Sequence, residues 1–123
     1  MKYREPTAEF LGTFLLVTTV VGSGIMAEDL SQGNTATALL ANAIATGATL
    51  YVIITIFGPI SGAHFNPVVT LVMFFRRQIS SSNSIAYVVF QILGGICGTV
   101  AAHLMFELPV LQFSTTARTG LSQ

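Results

Sequence analysis

The 123 residues are 52% hydrophobic and 8% charged, with a mean hydropathy of +0.73, whereas soluble domains carry about a quarter charged residues; there is too little charge to coat a water-exposed surface. Five Lys/Arg balance five Asp/Glu, which leaves no basic face for nucleic acid, and the lone Cys97 excludes an internal disulfide framework or a multi-Cys metal site. A small single-domain membrane protein remains.

In chain order, the charges fall in clumps: Lys2, Arg4, Glu5 and Glu9, then Glu28 and Asp29, then Arg76 and Arg77, with Glu107 and Arg118 last. Between Asp29 and Arg76 lie 46 uncharged residues, and between Arg77 and Glu107 another 29. A bilayer-spanning helix needs about 20 apolar residues. The pattern therefore predicts spans at about 6–27, 35–57 and 83–106, and a polar tail over 107–123. The first apolar run is too long for a secretory signal core, and no clean small-x-small cleavage pattern follows it. Cytoplasmic loops collect Lys and Arg. With the N-terminus inside, Glu28 and Asp29 lie outside and Arg76 and Arg77 inside, so four of the five basic residues share one side and only Arg118 falls on the other.

The stretch 58–76 reads as neither span nor loop. Gly58 to Asn66 contains two Gly, a Pro and a Ser, a composition that predicts no helix, yet it is too apolar for an aqueous loop. Asn66-Pro67 then supplies an N-cap residue and a proline at the first helical position. Val68 to Phe75 makes roughly two turns, about 12–15 Å, or half a membrane. The expected element is re-entrant: extended chain dips to the midplane and a short helix climbs back to Arg76 and Arg77. At that depth the carbonyls of Gly62, Ala63, His64 and Phe65 survive only by lining a polar cavity or being buried in protein. The half-helix aims the positive end of its dipole, about half an elementary charge, at the cavity centre, where Asn66 adds an amide donor.

Two strings, Glu9-Phe10-Leu11-Gly12-Thr13-Phe14 and Ser61-Gly62-Ala63-His64-Phe65-Asn66-Pro67-Val68-Val69-Thr70, resemble the aquaporin (major intrinsic protein) family. The second string is hard to place in any other fold, and the resemblance extends over essentially the whole chain. It implies an all-α membrane protein, three transmembrane helices plus one re-entrant half-helix, forming one of the two inverted repeats that make up a six-span family member. The chain is thus expected to be a half-channel unit, with no cofactor, no metal and no enzymatic activity. The implied pore-lining and pore-centre residues are Gly62, Ala63, His64, Phe65, Asn66, Pro67 and Val68. Glu9 and Gln91 would brace the loop from the first and third spans; the alternatives are an interfacial Glu favoured by the helix dipole and a Gln bonding between helices.

The chain departs from the family pattern at three positions. Val68 stands where the family signature has Ala; Val69 stands where the second repeat usually carries a filter Arg; and Thr46, twenty residues before Asn66, stands where strict water channels often carry an aromatic. The resemblance therefore implies a wider filter, passing water and small neutral solutes such as glycerol. One unit leaves half of the pore wall open to lipid. The expected partner is an inverted second copy, an antiparallel homodimer assembling further into four pores in the inner (plasma) membrane, although the Lys/Arg bias opposes inverted insertion. The alternative is a non-conducting interaction protein, or a fragment, associating with a longer channel.

Blander residues complete the reading. His64 has no second ligand at metal spacing and is expected to be a hydrogen-bonded structural residue; Ser61 is the only nucleophile near it, and no catalytic spacing is present. His103 is expected at the membrane interface and Cys97 in helix packing. Gly94 and Gly98, with Ala102 a turn further on, and the pair Ala43 and Gly47 form small-xxx-small faces that permit close helix approach.

Overall fold

A computed structural model describes residues 3–113 and 115; Lys2, Arg118 and most of the expected polar tail lie outside the described residues. Four helices follow one another: α1 (Arg4–Leu30), α2 (Thr35–Ser61), α3 (Pro67–Phe75) and α4 (Ser81–Met105). α1, α2 and α4 are long and apolar enough to cross a membrane. The 9 residues of α3 reach only about 13 Å at 1.5 Å per residue. Capping sets the starts. Asn34 accepts a hydrogen bond from the Thr37 N–H at 3.1 Å, and Ser80 accepts one from Asn83 at 3.2 Å. Pro6 sits in the first turn of α1, where its missing N–H costs nothing.

α1 is the central member. α2 and α4 pack on either side of it, and α3 leans on α4. The α1–α4 crossing is close because α4 presents glycine there. A Cβ on Gly94 would lie 2.5 Å from the Phe10 carbonyl oxygen, and one on Gly98 2.7 Å from that of Phe14. The Thr18 hydroxyl lies 2.7 Å from the Phe14 carbonyl oxygen and 3.2 Å from that of Gly98, tying the two helices together. Ala102 continues the stripe, fully buried beside Gly22. α1 and α2 are joined differently, by side chains: the Asn42 amide donates to the Val20 carbonyl at 2.8 Å and lies 3.0 Å from Ser23 Oγ, while Thr49 and Thr19 meet at 3.2 Å.

Three expectations need correction. The pair Ala43 and Gly47 is exposed, and a Cβ at Gly47 would meet nothing. α2 turns Asn42 and Thr49 toward α1, so the small residues lie off that face. Cys97 is exposed on α4 and not buried in a helix contact among the described residues. The stretch from Gly58 is also not all irregular, because α2 runs through Pro59 to Ser61. Pro59 lies inside the last turn, where it removes the bond to the Thr55 carbonyl and crowds it, and the helix stops three residues later at Gly62, whose φ of +85° and N–H bond to the Gly58 carbonyl (2.9 Å) form a left-handed glycine cap. The irregular segment is only the chain between Gly62 and Asn66.

Candidate functional site

That segment is held by a carboxyl group from another helix. Glu9 is fully buried on α1. Its Oε1 accepts from Ser61 Oγ at 2.5 Å and from the His64 N–H at 3.0 Å; its Oε2 accepts from the Phe65 N–H at 2.6 Å and from Gln91 Nε2 at 2.8 Å. Four donors fill the acceptor capacity of one carboxylate. An interfacial glutamate at the first turn of a helix would face water, and this one does not. Gln91, on α4, also donates to Thr70 Oγ1 at 3.0 Å, while its own Oε1 is buried without a partner among the described residues.

The direction of the carbonyls follows from the peptide bond. In a planar trans peptide the C=O of one residue points opposite to the N–H of the next. The Ala63 N–H donates to Ser61 Oγ at 3.1 Å, and the next two N–H groups donate to Glu9. Three successive N–H groups therefore point into the protein, and the carbonyls of Gly62, Ala63 and His64 point away from it. Neither these three nor the Phe65 carbonyl accepts a hydrogen bond among the described residues. The ladder has a left-handed backbone, with φ of +85° at Gly62, +54° at Ala63 and +50° at Phe65. Such a conformation costs of order 1–3 kcal/mol at a non-glycine residue and persists only where the surroundings impose it; here the bonds to Glu9 do so.

Asn66 caps α3 by accepting from the Val68 N–H at 2.8 Å, and its amide nitrogen has no partner among the described residues. Asn66, Pro67, Val68 and Val69 are all exposed in this chain, Val68 by 65%. His64 is half-buried, with Nδ1 3.0 Å from Thr70 Oγ1 and the ring edge-on to Tyr87 at 5.2 Å. Phe65 differs from the expectation of a pore-lining side chain: its ring is 5% exposed and turned toward α1 and α2, leaving only its backbone at the cavity. Thr46 stands apart from the cluster, fifteen residues before Ser61 on α2, about 22 Å along the axis. Its hydroxyl is enclosed without a hydrogen-bond partner among the described residues.

Two members of the site escape the sequence reading as site residues. Thr70 is fully buried, touching His64, Gln91 and the Asn66 carbonyl. Its signal is its isolation, as the one hydroxyl in an otherwise apolar half-helix, a turn after the N-cap. Tyr87 donates to the Ser61 carbonyl at 2.9 Å, closing the end of α2. It precedes Gln91 by four residues, on the same face of α4.

Three membrane-length helices around a hydrogen-bonded extended segment and a half-length helix define a re-entrant membrane unit. The family described as Major intrinsic protein matches residues 1–123, and the chain belongs to it as a multi-pass integral membrane protein. It is 54% identical over 120 residues to "Aquaglyceroporin AqpS" of Rhizobium meliloti (strain 1021), a match covering 98% of this chain and 51% of that protein. It is 39% identical over 98 residues to "Glycerol uptake facilitator protein-like 6" of Lactiplantibacillus plantarum, covering 80% of this chain and 42% of the other. "Probable aquaporin PIP2-8" of Arabidopsis thaliana is 32% identical over 117 residues, 95% of this chain and 42% of the other. The chain thus spans about half the length of these relatives.

Proposed function

We propose that this chain supplies one half of a passive pore for water and small uncharged hydroxylated solutes, in the inner (plasma) membrane. The observation that carries the reading is the one-sided ladder: three consecutive N–H groups of the segment are bonded into the protein, and the carbonyls opposite them have no partner among the described residues. A row of free acceptors at membrane depth persists only by lining a polar cavity or being buried in protein; lining a cavity, it exchanges hydrogen bonds in single file with water or a polyol. Asn66 adds a donor at the N-terminus of α3, whose dipole disfavours cations. Glu9 and Gln91 hold the ladder in place. Thr46 and Val69 would shape a filter with neither an aromatic nor an arginine, wide enough for glycerol. The names of the bacterial relatives, an aquaglyceroporin and a glycerol uptake facilitator-like protein, support that solute class.

The other half of the wall is a second unit in inverted orientation, either another copy of this chain or a distinct second half, with four pores per assembly. The exposed flank of α3, including Leu71 and Phe75, is the surface such a unit would cover. Stopped-flow shrinkage of proteoliposomes under an osmotic gradient tests the proposal. Shrinkage faster than in empty liposomes is expected with sorbitol outside, followed by reswelling when glycerol is the osmolyte. Rates equal to those of empty liposomes for correctly assembled protein would overturn it.

A further inference from the structure

The grip on Phe65 has two points, and only one of them is Glu9. Gly12 lies three residues beyond Glu9 on the same face of α1. A Cβ placed on Gly12 would overlap Cε1, Cδ1 and Cζ of the Phe65 ring. The ring has no room to step aside. It is 5% exposed, Phe57 of α2 stands edge-on to it at 6.1 Å, and the Phe65 N–H is pinned to Glu9 at 2.6 Å. No methyl group fits where the ring lies, so Gly12 is a socket for it. Its role is a vacancy against a neighbour, unlike Gly94 and Gly98, which meet backbone.

We infer that the Gly12 socket and the Phe65 ring form a positioning pair that sets where the next residue, Asn66, presents its amide to the pore, and so tunes which solutes pass. Phe65 holds a left-handed φ of +50°, a conformation uncommon for a bulky residue. Glu9 fixes its N–H and Gly12 its ring, so both ends of the residue are held and the direction in which the chain leaves toward Asn66 is determined. This inference rests on the pore reading for its solute readout, and its structural half is independent of that reading.

The test is a double-mutant cycle of Gly12→Ala and Phe65→Ala, each alone and together, read in two ways. The first is the ratio of glycerol to water permeability in proteoliposomes; a mere loss of folded protein scales both fluxes and leaves the ratio alone. The second is amide hydrogen exchange over residues 61–66, which needs no conduction. Gly12→Ala by itself is expected to shift the ratio by about threefold or more and to speed exchange by a similar or larger factor, while adding nothing once Phe65→Ala has emptied the socket. An unchanged ratio in a conducting Gly12→Ala protein, unchanged exchange, or equal effects of Gly12→Ala in both backgrounds would overturn the inference. If the parent chain carries no flux, the pore reading fails and exchange alone decides the socket. If Gly12→Ala alone does not fold, recovery of folded protein on adding Phe65→Ala supports the pairing, and no recovery overturns it.

Discussion

The two flanks of α1 are built on different terms. Toward α4 the chain places two glycines against backbone, a fully buried glutamate with four donors, and a hydrogen-bonded Gln–Thr–His chain whose Gln and Thr are buried. Toward α2 it offers a few polar side-chain contacts, and the far side of α2 stays bare, with Leu39, Ile44 and Tyr51 each more than 60% exposed. α3 is just as one-sided: Thr70 is buried and Val68, Leu71 and Phe75 are exposed. The re-entrant segment is therefore held chiefly by Glu9 of α1, with Ser61 and Phe57 of α2 as further contacts. Its N–H groups find their acceptors within this chain, while its carbonyls have no partner among the described residues.

Breaking the anchored side has the largest expected effect. Glu9→Ala removes the acceptor of four donors and strands at least the buried Phe65 N–H and one Gln91 amide hydrogen, each costing about 1–3 kcal/mol, so little folded protein is expected by size-exclusion chromatography and no flux above background. Glu9→Gln, which keeps one acceptor oxygen, should retain part of both. Gly94→Ala follows. Its methyl would meet the Phe10 carbonyl oxygen at 2.5 Å, and prising α1 from α4 should cost about 1–3 kcal/mol, seen as a lowered Tm in detergent. Asn66→Asp acts on the cavity side. A carboxylate at the positive end of the α3 dipole should weaken cation exclusion, with proton leak rising about fivefold in dye-loaded liposomes, the size of a 1 kcal/mol dipole contribution; unchanged leak would contradict the dipole account. Gly47→Ala, into open space on α2, has the smallest effect and the opposite sign, a gain of about 0.5–1 kcal/mol from helix propensity in the isolated unit. The contrast between the two Gly→Ala variants measures directly how unequal the flanks are. Labelling of Ser31→Cys from each side of the membrane tests for an inverted copy: reaction from both faces indicates dual topology, and reaction from one face only rules out an antiparallel homodimer.

Local chemistry made much of this legible. Asn66-Pro67 at the head of a short apolar run marks α3, because cap and proline act within one turn. The spacing of charges marks the three long helices, because a bilayer sets their length. What failed depended on neighbours distant in sequence. Gly and Pro at 58–59 argue against a helix locally, yet α2 continues because its cap lies at Gly62. Small-xxx-small spacing is the same at Ala43–Gly47 as at Gly94–Gly98, and spacing alone does not say which face meets another helix. The orientation of the Phe65 ring was invisible for the same reason, since the space that receives it is at Gly12, fifty-three residues earlier.

The central claim is that the chain around Asn66 faces a water-filled path. Val68→Cys in a Cys97→Ser background puts one thiol beside it, at a position 65% exposed in the isolated unit. A small, water-soluble, membrane-impermeant thiol reagent should react there and abolish osmotic flux, with flux restored by reductant. Flux that persists after complete labelling, or a thiol that reacts only with lipid-soluble reagents, would contradict the account.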